Sequence, residues 1–347
     1  MNQDASTDAS THSARTFATV RWIALVALIA ATIGGAFAYW RYTALYPTTE
    51  NAYVGTDIVR VAAEVSGPVV HVYVQTDENV KSGDLLFDID PTLYDAQLRN
   101  ARAQFDSATA AAGTAADPLK TAVTKFEEKR AALEDAGQAY KKAKDAQGED
   151  QPPSTDPTNA QNAWHDALRA YKDAEDEFAK AEDKALTVTT PTVQLRAAAA
   201  QLHKATHDRV KTHVTAPADG TLSNVSLRPG ATVQAGAPLF AIIEGDDWWV
   251  DANFKETDLA RIKIGQKATV RLDMYPDVTF DGTVDSISAG SGATFSVLPP
   301  ENATGNWVKV TQRFPVRIRI SNPQASERPL RVGASAAVTI DTTQDGK

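Results

Sequence analysis

The stretch Ser66-Gly67-Pro68-Val69-Val70, continued by Asn79-Val80-Lys81-Ser82-Gly83 and Leu85-Leu86-Phe87-Asp88-Ile89, decides the fold because the chain repeats it. The second copy is Asp219-Gly220-Thr221-Leu222, then Thr232-Val233-Gln234-Ala235-Gly236 and Pro238-Leu239-Phe240-Ala241-Ile242. Equal numbers of residues separate the two glycines of each copy, and we interpret all four as turn glycines: Gly67, Gly83, Gly220 and Gly236. Two matching β-rich halves around a long insertion predict one small domain with an arm growing out of it. Such an arrangement favours a spacer or adaptor over a catalyst.

The overall composition narrows the classes of partner and of chemistry. Among 347 residues, 35 are Lys or Arg and 44 are Asp or Glu, which gives a net charge of −9. An acidic chain argues against a nucleic-acid partner, because binding phosphates needs a basic surface. The chain has no cysteine, which excludes disulfides, thiolate metal sites and a lipid anchor on an N-terminal cysteine. Neither a nucleotide-binding loop nor a Ser/His/Asp constellation stands at recognisable spacing, so we expect no enzymatic activity.

An uncharged apolar run near the N-terminus predicts a membrane anchor. The run extends from Trp22 to Trp40, between Arg21 and Arg41. About 19 residues at about 1.5 Å each cover roughly 28 Å, enough for a bilayer core, and the two tryptophans fall where the membrane interfaces would be. A cleaved signal peptide is the alternative, since Ala36-Phe37-Ala38 offers a small-residue cleavage site. The length of the run and its aromatic ends favour a retained anchor, with the N-terminus in the cytoplasm and the bulk of the chain outside.

The insertion between the two half-motifs predicts a long helical hairpin. It is rich in Ala, Lys, Glu and Gln, and its larger side chains recur every seven residues, a pattern typical of a helix packed against a partner helix. The first series is Leu98, Phe105, Ala112, Leu119, Phe126, Leu133 and Tyr140. The second series is Trp164, Tyr171, Phe178 and Ala185, resumed by Leu195 and Leu202. A glycine and three prolines place the reversal between the series at about 147–159: Gly148, Pro152, Pro153 and Pro157.

Each limb of the predicted hairpin contains a segment that disfavours a helix. These segments are Gly113–Pro118 and Leu186–Pro191. The seven-residue series stays in phase across Gly113–Pro118, so we interpret both segments as kinks at matching height rather than as reversals. A continuous arm of about 55 residues would then reach roughly 80 Å. The alternative is a compact helical bundle, which the narrow stripe of large side chains argues against.

After Ala216 the sequence again favours β-strands. Short alternating stretches, including a last strand at Ala336–Ile340, predict a small β-barrel. His203 and His207 stand four residues apart on a predicted helix, which is a metal-ligand spacing, but a polar helix surface explains them equally well and we expect no metal site.

The two half-motifs resemble the biotinyl/lipoyl carrier domain, which is built from two interlocked halves. In the carriers, a lysine on a hairpin between the halves accepts the cofactor. Here Asp88-Ile89-Asp90-Pro91 and the helical arm stand in its place. The resemblance without the lysine disfavours a biotinyl or lipoyl carrier subunit, and we expect no cofactor.

With its anchor and barrel, the chain resembles the periplasmic adaptors, or membrane fusion proteins, of the HlyD family, and within it the EmrA-type branch. Four stretches carry the likeness: Thr49–Val54, Thr215–Gly220, Trp249–Thr257 and Leu298–Val310, the last extended by Gln312–Ile318. The resemblance implies a mixed α and β, elongated protein with a single N-terminal transmembrane helix, a split lipoyl-like domain carrying a helical coiled-coil hairpin, and a C-terminal β-barrel.

The predicted segments follow in chain order. They are a cytoplasmic tail (1–21), the anchor (22–40), a joining strand (41–57), the first lipoyl-like half (58–90), the hairpin (91–212), the second half (213–244), the barrel (245–342) and a tail (343–347).

The resemblance also implies partners. They are the inner membrane of a Gram-negative cell, a major facilitator drug/proton antiporter, a TolC-like outer-membrane channel, and further copies of the chain as a trimer or hexamer. The exported compounds would be hydrophobic drugs or fatty acids, giving antibiotic resistance. An adaptor of an ABC-driven type 1 protein secretion system is the alternative. The tip would contact the channel, yet between Lys144 and Asp166 the chain lacks the Arg and Leu that many adaptors carry there.

Overall fold

In the computed structural model, the β-rich stretches of the sequence form strands and the insertion forms helices. The structure describes residues 11–145, 157–184, 191–292, 311–321 and 328–343. The chain divides into two units: one combines Met1–Thr56 with Asp246–Lys347, and the other is Asp57–Gly245. It passes from one unit to the other along β1 (Thr48–Ala62) and β8 (Pro238–Lys255).

The two half-motifs form one interlocked β domain in the unit Asp57–Gly245. The first half supplies β2 (Gly67–Val72), β3 (Asn79–Val80) and β4 (Leu85–Ile89). The second half supplies β5 (His213–Thr215), β6 (Gly220–Ser223), β7 (Thr232–Val233) and the start of β8. Strands of different halves pair antiparallel: β2 with β7, β3 with β6, and β4 with β5. The halves therefore complete each other, as the repeat predicts.

Alternating apolar residues from both halves fill the core of this domain. Phe87 and Phe240, which occupy equivalent places in the two half-motifs, meet edge to face with ring centroids 6.2 Å apart. Around them lie buried aliphatic side chains from both halves: Val61, Val69, Leu86, Ile89, Leu222, Val233 and Ile242. Burying large apolar side chains supplies the main driving force for folding, so neither half has a complete core alone.

The described part of the insertion forms four helices. They are α2 (Thr92–Ala112), α3 (Asp117–Asp145), α4 (Pro157–Lys184) and α5 (Pro191–Val210), with a 3-10 turn at Gly113–Ala116. Proline precedes or begins the first turn of α2, α4 and α5, where its missing N–H costs nothing. Of the predicted tip, Pro157 begins α4, whereas Gly148, Pro152 and Pro153 lie outside the described residues.

The arm is folded back on itself, and the prediction of a kink at Gly113–Pro118 is wrong. α3 runs back along α2, as the ion pair between Arg102 of α2 and Glu127 of α3, on opposite sides of the turn, indicates. The end of α3 returns to the β domain, where Lys144 Nζ lies 2.9 Å from Glu78 Oε1. The chain therefore reverses at the turn, and the arm is not a continuous hairpin of roughly 80 Å.

The four helices share one hydrophobic core, which is the compact bundle set aside in the sequence interpretation. Phe126 of α3 lies at its centre, with ring centroids 5.2 Å from Tyr171, 5.4 Å from Phe178 and 5.8 Å from His203. Other buried members of this core come from all four helices, many of them alanines, and include Ala101, Phe105, Leu119, Val123, Leu133, Trp164, Ala174, Leu195, Ala198, Ala199 and Leu202. Small alanines let the helices approach closely, so a few aromatic rings suffice to fill the centre.

The other unit contains a closed β-barrel. Its strands are β1, β12 (Ser335–Ile340), β9 (Lys267–Leu272), β10 (Thr279–Ile287), β11 (Arg313–Ile320) and the second part of β8, in that order, and a further pairing of β1 with β8 closes it. The short helix α6 (Glu256–Leu259) connects β8 to β9. Val250, Ala252 and Phe254 alternate inward along β8, as a strand period of two requires. The predicted last strand is confirmed in β12.

The N-terminal helix α1 (Thr11–Leu45) covers the predicted anchor at 22–40. Trp40 and most other described side chains of the run are exposed, whereas the side chain of Trp22 lies outside the described part. Among the described residues, none of the helices combines the length and apolar character needed to cross a membrane.

Candidate functional site

Two of the four repeat glycines hold turns that other residues adopt poorly. Gly83 has φ +90° and Gly236 has φ +79°, at equivalent places in the two half-motifs. The other two are required for space: a Cβ on Gly67 would lie 2.6 Å from Ile89 Cγ2, and one on Gly220 would lie 2.4 Å from the carbonyl oxygen of Ile243. The glycines thus shape the domain that carries the arm.

The joint between β4 and the arm is held by hydrogen bonds from both halves. Asp88 accepts a hydrogen bond from the Tyr73 hydroxyl, and its Oδ1 lies 2.7 Å from His213 Nδ1. Burial opposes ionisation of Asp88, but these partners outweigh it and lower the pKa of the carboxyl. Asp90 accepts hydrogen bonds from the side chain and backbone of Thr92, and these lower its pKa. At the position where a carrier has its lysine hairpin, this chain begins helix α2.

A buried arginine ties three helices together at the base of the arm. The Arg209 side chain is 11% exposed and forms ion pairs with Asp95 of α2 and, at 2.9 Å, with Glu134 of α3. Its Nη1 also donates to Thr212 Oγ1 at 3.2 Å. A charge this deeply placed needs partners, because an unpaired buried charge is strongly destabilising.

The ends of α3 and α4 nearest the predicted tip are bound to the lipoyl-like domain on both sides of β3: at Glu78 before it and in the β3–β4 turn after it. Lys144 pairs with Glu78, and Trp164 Nε1 donates to the carbonyl oxygen of Gly83 at 2.9 Å. We call these contacts, together with those that Asp84 makes, the latch.

Asp84 is the buried centre of the latch. Its Oδ1 accepts a hydrogen bond of 2.5 Å from Gln161 Nε2 and lies 2.8 Å from His165 Nε2. Burial, and then the charges of Asp84 and Glu78, raise the pKa of Tyr140 on α3 to about 12. The latch therefore combines the buried ring of Trp164 with hydrogen bonds to charged groups, which are stronger than hydrogen bonds between neutral groups.

The predicted histidine pair joins two helices. His207 Nδ1 lies 3.0 Å from Glu175 Oε1 of α4, and His203 Nε2 lies 3.4 Å from the same oxygen. Hydrogen bonds from His203, and to a lesser degree from His207, lower the pKa of Glu175. In the described part of the chain, no group of three or more His, Cys, Asp or Glu is arranged to hold a metal ion.

Two of the stretches that carry the family likeness are neighbouring strands of the barrel. Asp251 of β8 pairs with Arg317 of β11 in register, and the guanidinium also contacts Asp251 through two nitrogens at 2.9 and 3.1 Å. Arg317 lies 4.4 Å above the ring of Trp249 as well. A third stretch, Leu298–Val310, lies outside the described residues.

Sequence reasoning missed the latch. Trp164 and Tyr140 stand in the seven-residue series, which marks them as core, but nothing in the series says which surface a helix end meets. The available signal was the pair of carboxylates, Glu78 and Asp84, on either side of the Asn79–Gly83 stretch that the repeat already identifies. The equivalent positions of the second half-motif are Ala231 and Ala237, which carry no carboxylate.

Comparisons with known proteins agree with this architecture. The model of the RND membrane fusion protein barrel-sandwich hybrid domain matches residues 57–244. The model of the AAEA-like β-barrel domain matches residues 247–341. Together they match nearly all of the chain between residues 57 and 341.

Similar proteins are known from several bacteria. Multidrug export protein EmrA of Escherichia coli K12 is 32% identical over 316 residues, covering 87% of this chain and 78% of that protein. Fatty acid resistance protein FarA of Neisseria gonorrhoeae is 34% identical over 315 residues, covering 86% and 76%. The solved structure of the periplasmic adaptor protein EmrA aligns with a TM-score of 0.42 at 23% identity, covering 86% of this chain and 99% of that one. The chain therefore belongs to the EmrA-like periplasmic adaptors, the membrane fusion proteins of the HlyD family, which are non-enzymatic transport components.

Proposed function

We propose that this chain is the adaptor of a tripartite drug efflux pump, joining an inner-membrane transporter of the major facilitator class to a TolC-like outer-membrane channel. The observation that carries the proposal is a lipoyl-like domain whose two halves interlock around a helical insertion, in a chain that also forms a β-barrel. An adaptor of this design works by holding its partners in register, and energy comes from the transporter. The names of the relatives, multidrug export and fatty acid resistance, support hydrophobic cargo.

The anchor belongs to the same proposal. We place residues 22–40 across the inner membrane once, with the N-terminus in the cytoplasm and the β units in the periplasm. The run carries no charge between Arg21 and Arg41, which supports a span, and arginines before the run support this orientation. Trp22 and Trp40 would then lie at the two interfaces.

The arm is the part proposed to contact the channel, through its tip at about 147–159, with three or six copies of the chain side by side. The segment is acidic and proline-rich, so docking would use a surface different from the Arg- and Leu-bearing tips of many adaptors.

Removing the arm tests the bridging role. A chain with α2 to α5 replaced by a short Gly-Ser linker from Pro91 to Lys211 keeps every β strand, because the β pairings use residues outside the insertion. We expect it to reach the membrane and to bind its transporter, while drug resistance falls to that of cells lacking the adaptor. Resistance at the level of the intact chain would refute bridging.

Co-purification identifies the partner class. The full-length chain, solubilised from membranes, should carry a major facilitator transporter with it. Recovery of an ABC transporter in its place would support the type 1 secretion alternative, and an intact mass increased by a biotinyl or lipoyl group would support a carrier subunit.

A further inference from the structure

The four helices of the folded arm are organised as two antiparallel pairs. α3 packs on α4, where Gly137 leaves room for the ring of Trp164: a Cβ on this glycine would lie 2.8 Å from Trp164 Cζ3. α2 packs on α5, where Asp95 pairs with Arg209. A continuous hairpin would contain the same two pairs end to end. Opening the bundle therefore requires neither pair to separate.

The seam between the two pairs combines ion pairs, buried alanines and the ring of His203, which lies 5.8 Å from Phe126 and 5.0 Å from Phe178. Arg102 binds Glu127, Glu134 binds Arg209, and Glu175 contacts the two histidines of α5. Most of these groups are partly exposed, and ion pairs in contact with water contribute little to stability. Buried alanines make up much of the apolar contact, and each buries a small area. The partly exposed ion pairs of the seam can therefore exchange their partners for water when the two pairs separate.

Of the two connections between the pairs, the structure describes the one from α2 to α3, and this turn depends on a glycine. Gly113 follows α2 with φ +60° and ψ −139°, a combination that is essentially restricted to glycine. A Cβ added there would meet no atom within 4 Å, so strain in the backbone, not crowding, would be the effect of a substitution. Any other residue at 113 favours an ordinary helical conformation, which continues α2 into α3.

We propose that the folded arm is a stowed state and that the arm opens about Gly113–Ala116, with release of the latch, into one long hairpin. This inference rests on the bridging function proposed above and gives it a regulated step. The stowed arm reaches no farther than α3, about 43 Å for 29 residues, whereas α2 and α3 in line reach roughly 80 Å. The latch closes only when the tip end of the α3–α4 pair lies against the β3–β4 turn, so it opposes contact between the tip and an outer-membrane channel.

Distance measurements between two spin labels test the opening. The chain has no cysteine, so Gln75→Cys and Lys142→Cys, both at exposed positions, are the sole labelling sites in the full-length protein. The stowed arm gives a short distance, because Lys144 contacts Glu78. In the extended arm, residue 142 lies about 75 Å along the helix from Thr92.

Gly113→Ala should shift the distance distribution toward the long distance, raising the ratio of open to stowed arms about tenfold. Gly230→Ala is the matched control, since Gly230 has φ +89° and open surroundings but lies in the second lipoyl-like half. Equal distributions in the two variants would overturn the hinge. Melting curves of both variants would check that each remains folded.

A reversible lock tests the role in export. Glu78→Cys and Lys144→Cys, joined by a cleavable bismaleimide, hold the latch closed, and each single-cysteine chain treated with the reagent is the control. We expect export to fall at least tenfold when locked and to recover after cleavage. Export by the locked chain at the unlocked rate, with none from the arm-deleted chain, overturns the opening while the adaptor role stands. Export by the arm-deleted chain overturns the adaptor role.

Discussion

Replacing Trp164 by phenylalanine should release the arm from the lipoyl-like domain while leaving the α3–α4 pair intact. The indole is 1% exposed, lies edge to face with His213 at 6.1 Å, and donates to the Gly83 carbonyl oxygen. Phenylalanine keeps most of the buried ring but removes the donor. The loss is about 0.5–1.5 kcal/mol for the hydrogen bond and somewhat more because the carbonyl loses its partner. Trp164→Ala removes the ring as well and should cost about 3–5 kcal/mol.

Hydrogen–deuterium exchange of the full-length chain measures this release where it occurs. Because the bond joins α4 to the β3–β4 turn, the phenylalanine variant should raise exchange in peptides covering residues 78–86, by about tenfold for each 1.4 kcal/mol lost. Faster exchange in α4 with residues 78–86 unchanged would refute the reasoning, since the helix would then be perturbed without having been bound to the turn.

Tyr171→Phe is the matched control on the same helix. Tyr171 is buried one heptad further along, and in the described structure its hydroxyl has no hydrogen-bond partner. Burial is the main cause that raises the pKa of this hydroxyl. Removing an unsatisfied buried hydroxyl should leave stability unchanged or slightly improved, and exchange at residues 78–86 should not change.

Two further substitutions test the ionic contacts of the arm. Glu175→Gln should cost about 1 kcal/mol near neutral pH, measured by exchange of α4 and α5, whereas Glu177→Gln, at an exposed position on the same helix, should cost little. The histidine partners of Glu175 lower the pKa of its carboxyl. The stability that Glu175 contributes is therefore complete above the ordinary pKa of 4.5 and is lost as the pH falls through the lowered value, so the stabilities of the two variants should converge in acid. Arg209→Met leaves Asp95 without the cation it pairs with and Glu134 with Arg130 alone, and should cost about 3–5 kcal/mol in urea unfolding. A loss below about 1 kcal/mol would show that the arginine is not structural.

The β domain could be predicted from the sequence because its signal is local and repeated. The spacing of the glycines and of Phe87 and Phe240 in the two half-motifs places equivalent residues on equivalent strands. Interlocking of the halves then follows, since neither alone can bury its apolar face. The start of α2 was equally accessible, because Pro91 favours a first turn, whereas Pro157 was interpreted as part of the reversal and Pro191 as part of a kink.

The reversal at Gly113 could not be predicted from the seven-residue series. Leu119 follows Ala112 in phase whether the arm is straight or folded, since both arrangements use the same helix pairs. The amount of apolar bulk was also misleading: the narrow stripe fills a four-helix core because alanines bring the helices close around Phe126 and Phe178. The deciding feature is a positive φ at Gly113, which sequence does not distinguish from a kink.

Interlocking of the two halves has a consequence for the order in which the chain folds. Phe87 pairs with Val214, so the β domain cannot close until the whole arm has been synthesised. α3 and α4 are close in sequence, and contacts with short separation form early. We expect pulse-labelled hydrogen exchange to protect these two helices first. Until β5 and β7 arrive, β2 and β4 present unpaired edges, which are prone to aggregate. The step most in need of a chaperone is therefore the closing of the β domain around an arm that is already folded.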